Sequence, residues 1–325
     1  MANATRLSAR GQILPDWLRR PRARFAALAI AIVAAAGILL SAIWYLLFDN
    51  LRVQWARTTP PFVGDLAVTK PRGEIRPDAA AAAEALAQVD LGAIRDGRID
   101  VPRVFIARVP ADLDEFGSSD EQKHLFVQLM LPQILAVNEA LLAHRARLLS
   151  IKAALDSGDR VYGDDRAYVA RIGAWYGVED GDLDVLLRRV DVIPPSLAIA
   201  QAAEESGWGR SRFAREANAL FGQHAFRAGR PSVEHPDEDT APIRAFPDLI
   251  SSISTYMHNL NTHSAYRGMR DDRASLRKAG KTIDGSTLAG PLTRYSERGG
   301  DYVASIRGHI SANRLRDFDD VTLAP

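Results

Sequence analysis

Leu125, Leu129, Ile134, Val137, Leu141, Leu148 and Leu149 keep the three-to-four spacing of a helix, and Ser118-Ser119-Asp120-Glu121 ahead of them has the form of a capping box. The pattern predicts a long helix, with Pro132 as its kink or break. "DDRAYVARIGAWYGV" and "GDLDVLLRRVDV" predict two shorter helices parted by Gly177 and Gly181. Pro194-Pro195-Ser196 then suits a helix start and Gly207 a helix stop, which encloses "SLAIAQAAEES" in a further helix. Helical spacing returns in "PDLISSISTYMHNLNTH" and in a last helix from about Asp301, with Tyr295 on the loop before it. Two stretches lack this period. "VPRVFIARVPADLDEF" predicts an extended lead-in, and Gly229 to Phe246, rich in proline, glycine and acid, predicts a loop or small β-hairpin lobe. With no internal repeat and no run of alternating strands, the fold class is mainly α.

A different pattern opens the chain. Phe25 to Phe48 runs without a charged residue and is long enough to cross a bilayer core of about 30 Å. It is also longer than the roughly 7–15 apolar residues of a signal peptide. Arg19, Arg20, Arg22 and Arg24 crowd its N-terminal flank, against Asp49, Arg52 and Arg57 on the other side. The positive-inside rule therefore predicts a single-pass anchor with residues 1–24 as a cytoplasmic tail and everything after Asn50 outside. Trp44 and Tyr45 suit its outer interface. Residues 49–100, with "TTPPF" and "KPRGEIRPD", read as an extracytoplasmic tether carrying one short helix around Ala79–Val89, and residues 101–325 as the globular domain.

Composition removes several function classes. The 325 residues carry 41 Lys+Arg against 40 Asp+Glu, so a net charge of +1 gives no nucleic-acid footprint. Zero cysteines exclude disulfides, thiol nucleophiles and thiolate metal sites. His258 and His263 stand five apart, a poor helical spacing for a shared metal, and no metal site or cofactor is predicted. "SLRK" and "AGKT" match fragments of penicillin-binding and phosphate-loop motifs without the partners either needs.

The chemistry gathers at "QAAEESGWGR", residues 201–210. At 100° per residue, Ala198, Ile199, Ala200, Ala202 and Ala203 form an apolar sector, with Gln201, Glu204 and Glu205 opposite. Glu205 lies at the sector edge beside Ala198 and Ala202, where packed neighbours desolvate it, while Glu204 points to water. Desolvation and the negative end of the helix dipole both favour the protonated form of Glu205, which suits a general acid. Trp208 either stacks on a sugar or packs under the motif, Asn218 caps or braces its loop, and Phe221 reads mainly as core. Tyr256, Asn259, Asn261 and His263 form a helical set that could face a cleft.

The wider stretch "SLAIAQAAEESGWGRSRFAREANALFG" resembles the glucosaminidase domains of glycoside hydrolase family 73, with a glutamate before Ser-Gly-Trp-Gly and a downstream Asn218-Ala219-Leu220-Phe221-Gly222. "VPRVF", "RRVDVIPPSLA", "HNLNTHSAYRGMR" and "LTRYSERGGDYV" are similar to its Bax-like branch, so the resemblance runs from Val101 to the end. It implies a lysozyme-like helical domain with a small irregular or β lobe, preceded here by the N-terminal transmembrane helix. It further implies hydrolysis of the β-1,4 bond after N-acetylglucosamine in peptidoglycan, with Glu205 as the catalytic acid. Beside that implication, Trp208, Asn218, Phe221, Gln223 and Tyr256 are our own substrate-binding candidates. Such cleavage usually takes two carboxylates. Glu234, Asp237, Glu238 and Asp239 in the irregular lobe are the candidates for the second, with Glu234 preferred. The family's other route uses the substrate's 2-acetamido group assisted by a late tyrosine. Tyr295 resembles it, with "SER" following where Ala-Thr-Asp is more usual. The expected partners are glycan strands and, through the anchor, the bacterial inner membrane, with the domain in the periplasm. A lytic transglycosylase of the same superfamily and a catalytically silent glycan-binding scaffold are the competing readings.

Overall fold

The computed structural model describes residues 78–178, 180–223 and 243–325, with the backbone of 232–233. The apolar run Phe25–Phe48 predicted as an anchor, most of the predicted tether, and Glu234, Asp237, Glu238 and Asp239 lie outside the described residues.

The described chain is mainly helical, and its first helices depart from the expected tether. Helices α1 (Ala79–Ala85) and α2 (Leu91–Arg95) are capped by the Asp78 and Asp90 carboxylates. Ala79, Ala82, Leu86, Val89, Leu91 and Ile94 are buried in the same core as the rest of the domain. Gln128 donates to the carbonyls of Leu86 and Val89 at 3.3 and 2.9 Å, and Ala79 N–H donates to Asp112 at 2.8 Å. Alanine-rich sequence has small side chains, and here that smallness lets the segment lie flat on the helical body. The domain therefore begins before residue 101.

Helix α3 (Ser119–Asp156) carries the predicted capping box at Ser118 and Glu121. Pro132 does not break it. Residues 125–138 are buried on every side, so packing holds the helix through the lost backbone bond. Its apolar content matches that of a membrane span, yet 83% of the most apolar window is buried inside the domain, which makes it the core helix. Leu149, grouped with the apolar face by spacing, is 48% exposed on the more solvated C-terminal arm.

Helices α4 (Gly163–Tyr176) and α5 (Leu183–Arg189) follow, then α6 (Pro195–Ser206), which starts on a proline and ends on Gly207 at φ 60°. After α7 (Arg212–Ala217), strands β1 (Ser232–Val233) and β2 (Ile243–Arg244) pair antiparallel, Ser232 opposite Arg244. Helices α8 (Leu249–Thr262), α9 (Arg267–Lys278), α10 (Gly285–Ala289) and α11 (Gly300–Ala312) complete the body, with short 3₁₀ turns at Ser264–Tyr266, Leu292–Arg294 and Leu315–Phe318. The lead-in at 101–116 is irregular rather than a strand, apart from one parallel bridge between Val101 and Leu323.

Two polar anchors fix α6, whose residues 195–203 are all buried. At its start, Asp319 accepts from Ser196 N–H at 2.9 Å, Ser196 Oγ at 2.7 Å and Gly285 N–H at 3.1 Å. Just before it, Asp191, with its side chain 3% exposed, is gripped by Arg277 at 2.5–2.6 Å, Arg145 at 3.3 Å and Arg273 at 3.8 Å. Arginines from α3 and α9 thus converge on the strand-like lead into α6. A groove of about 510 Å³ lined by Leu135, Leu142, Pro194, Pro195 and Ile283 lies at this end of the helix. Glu205 is at the other end, roughly 16 Å along the axis at 1.5 Å per residue.

Candidate active site

Glu205 occupies the last turn of α6, half-buried. Four tyrosines from four later elements of the chain lie near it: Tyr256 on α8, Tyr266 in the 3₁₀ turn after α8, Tyr295 on the loop before α11, and Tyr302 on α11. The rings of Tyr295 and Tyr302 stack at 5.4 Å, Tyr266 meets Tyr295 at 5.7 Å, and Phe221 lies flat on Tyr256 at 3.9 Å. Tyr295 hydroxyl donates to the Phe221 carbonyl at 3.3 Å. Gly222, at φ 62°, closes the floor, since a Cβ placed there would stand 3.0 Å from a Glu205 oxygen.

A buried hydrogen-bond chain orients the carboxyl. Tyr256 hydroxyl donates to Gln201 Oε1 at 2.7 Å, and Gln201 Nε2 donates to Tyr302 hydroxyl at 2.9 Å. Tyr302 in turn hydrogen-bonds Glu205. Gln201, opposite the apolar sector on the helical projection, is fully buried because α8 and α11 supply both of its partners. It precedes Glu205 by one helical turn, and that spacing is the sequence signal for it.

Burial pushes the Glu205 carboxyl above the ordinary carboxylate range, helped by the neighbouring Glu204 charge and opposed by the Tyr302 hydroxyl and Arg298. Glu204 goes the other way. Its desolvation is outweighed by bonds from Ser305, Arg298 and His309, which hold it below the usual range as a fixed anion. Ser305 Oγ donates at 2.7 Å, His309 Nε2 lies at 2.9 Å, and Arg298 forms an ion pair with it. Glu204 therefore does not point into water, and its side chain is only 15% exposed. Two adjacent carboxyls with pKa values pushed apart are an arrangement suited to a proton donor beside a fixed anion. Burial also drives Tyr256, Tyr295 and Tyr302 well up, so their hydroxyls stay protonated donors.

The remaining sequence candidates separate. Trp208, itself at φ 60°, is 5% exposed, with its ring edge-on to Phe126 at 5.9 Å and to His309 at 5.5 Å, so it packs beneath the motif. Asn218 ends α7 at φ 52°, donates to Phe246 carbonyl at 3.0 Å and accepts from Val109 N–H at 3.3 Å. Both ends of its amide brace loops, and it is 1% exposed. Phe221 stacks on Tyr256, as described, and Gln223 carbonyl accepts from Arg244 N–H at 2.8 Å at the end of β2. Asn261 turns away to the Asp191 carbonyl at 2.9 Å, His258 to the Trp175 carbonyl at 3.1 Å, and His263 caps the following 3₁₀ turn. Asn259 hydrogen-bonds Tyr266. The residues Tyr256, Asn259, Asn261 and His263 expected to face a cleft are thus divided, because neighbouring elements pack on more than one side of α8. Among the described residues no cluster of His, Asp and Glu could hold a metal.

Residues 183–315, which contain Glu205, Gly222 and all four tyrosines, match the glucosaminidase family, described as mannosyl-glycoprotein endo-beta-N-acetylglucosaminidase. The chain is similar to protein bax of Escherichia coli (strain K12), 34% identical over 194 residues that cover 59% of this chain and 69% of the relative. Among solved structures it is similar to the catalytic domain of the autolysin Auto from Listeria monocytogenes, at 23% identity, 52% of this chain, 94% of that chain and a TM-score of 0.31. The chain therefore belongs to the glucosaminidase family, glycoside hydrolase family 73, and is a glycoside hydrolase related to protein bax.

Proposed function

We propose that this chain is a membrane-anchored peptidoglycan hydrolase that cleaves the β-1,4 bond after N-acetylglucosamine, with Glu205 as general acid in a lysozyme-like helical domain. The observation that carries the reading is the Glu205 carboxyl, half-buried at the end of α6, bonded by the Tyr302 hydroxyl and raised in pKa by that burial. A raised pKa keeps the proton on the acid to higher pH, and protonation of the leaving glycosidic oxygen requires that proton. The run Phe25–Phe48 anchors the protein, and the basic flank before it keeps the N-terminus in the cytoplasm and the hydrolase in the periplasm.

In this mechanism Glu205 gives its proton to the leaving oxygen as the bond from C1 breaks. The substrate's 2-acetamido oxygen closes on C1, oriented by the Tyr295 hydroxyl. Water then opens that ring and returns a proton to Glu205, leaving N-acetylglucosamine at the new reducing end. Among the described residues the carboxylate that acts on Glu205 is Glu204, which is already bound by three donors. That engagement favours assistance by the substrate over a second carboxylate from the described part of the domain.

The test is digestion of purified peptidoglycan by the full chain in detergent, with mass spectrometry of the products. N-acetylglucosamine at the reducing end supports the assignment, and Glu205→Gln should abolish it. Anhydro-muramyl ends would assign a lytic transglycosylase instead, and binding to sacculi without turnover a glycan-binding scaffold. Tyr295→Phe should lose activity while Glu234→Gln keeps it. The reverse result would place the second catalytic group on Glu234.

A further inference from the structure

We propose that Glu204 is a positioning residue, the anchor through which Arg298, Ser305 and His309 lock the Tyr295 loop and α11 onto the catalytic end of α6. The inference rests on Glu205 being the acid. Its basis is geometric. Glu204 receives Ser305 and His309 from α11 on one oxygen and Arg298 from the loop on the other. Arg298 stands three residues after Tyr295, and Tyr302 lies on α11 one turn before Ser305. Two of the three groups that touch Glu204, Arg298 and Ser305, thus stand three residues from a tyrosine of the Glu205 environment. His309 also meets the Trp208 ring edge-on at 5.5 Å, which ties the turn after α6 into the same unit. Holding Tyr295 and Tyr302 at fixed offsets from a carboxyl one residue further along requires an anchor of this kind. A misplacement of about 1 Å can lower a rate by about a hundredfold.

The clamp is electrostatic as well as mechanical. The charged and titratable groups facing Glu205 are Tyr256 from α8, Tyr266 from the 3₁₀ turn, Tyr295 and Arg298 from the loop, Tyr302 from α11, and Glu204 on α6 itself. His309 and Asp301 of α11 act on Glu204 and Arg298. Glu204 raises the Glu205 pKa and Arg298 lowers it. Removing either partner breaks the same mechanical link, yet the two removals push the acid in opposite directions.

That opposition gives the test, a pH profile of kcat/KM for peptidoglycan digestion by the full chain, wild type beside Glu204→Gln, Arg298→Ala, the double variant and Glu205→Gln. Glu204→Gln and Arg298→Ala should each lower kcat at least about tenfold, as misplaced catalytic groups do. The high-pH limb should move to lower pH in Glu204→Gln and to higher pH in Arg298→Ala. The double variant should be no worse than either single one, since both cut one link. Arg298 is half-exposed, so Arg298→Ala keeps the inference testable even where Glu204→Gln does not fold. Wild-type kcat and pH limbs in the folded single variants, with Glu205→Gln inactive, would overturn the inference and leave the acid assignment standing. Activity surviving in Glu205→Gln would overturn the acid assignment and the inference with it.

Discussion

At the residue scale, the acidity of Glu205 is a balance of opposed contacts, and individual side chains can be removed to tip it. Burial and Glu204 raise its pKa, whereas the Tyr302 hydroxyl stabilises the charged form by donating to it. Tyr302→Phe removes that donor, so the carboxyl should hold its proton to higher pH and the high-pH limb of kcat/KM should move up. A limb that moves down or stays would show that Tyr302 does not bond the carboxylate. Gly222 gives a second residue-scale prediction. At φ 62°, with a would-be Cβ 3.0 Å from Glu205 Oε2, alanine meets both backbone strain and the reacting group. Gly222→Ala should cost about 1–2 kcal/mol of stability from the left-handed backbone. It should also lower kcat more than that loss of stability explains, measured by urea denaturation and turnover on the same preparations. Glu205 and Gly222 were both legible in the sequence, because each stands at a fixed place in a motif. Gln201 and Tyr302 were not read as functional, since neither residue type signals a role until its partners are known.

At the element scale, α6 carries Glu205 and is held at its start by the buried carboxylates of Asp191 and Asp319. Desolvation works against the Asp191 carboxylate, but the bond from Arg277 and the charges of Arg273 and Arg145 outweigh it and hold the pKa below its ordinary value. A depressed folded pKa means stability that is present above the unfolded value and lost as pH falls through the folded one. Asp191→Ala leaves Arg273, 1% exposed, without its counter-charge and should cost about 3–5 kcal/mol at neutral pH, the penalty for an uncompensated buried ion. Denaturant titration should show that cost shrinking as the pH is lowered through the acid range. A constant difference at every pH would mean that Asp191 acts by shape alone. The helix starts and stops, such as Ser118, Pro195 and Gly207, were readable from local chemistry. Whether Pro132 ends the helix or only interrupts its bonding is not a local property, because the burial that carries α3 through it comes from the rest of the fold.

For the whole molecule, the boundary of the folded unit decides which fragments can work. Residues 79–94 contribute Leu86, Val89, Leu91 and Ile94 to the core, each 2% exposed or less. Full burial of such a side chain stabilises by about 1.5–3 kcal/mol. A fragment starting at residue 101 should therefore melt well below one starting at Asp78 and be cut far faster by protease. Equal melting temperatures for the two fragments would show that the early helices are an appendage. The alanine-rich composition of this segment reads equally as tether or as thin packing, and only the groove it fills distinguishes them.

The sequence by itself determined the helical class, most helix ends and the motif that singles out Glu205, because caps, periodicity and a contiguous motif are local properties of the chain. The tertiary structure alone decided what Glu204 does. Its partners Arg298, Ser305 and His309 lie 94, 101 and 105 residues away. The direction in which a polar side chain's charge is stabilised depends on donors brought to it by folding, and no local pattern records where those donors will stand.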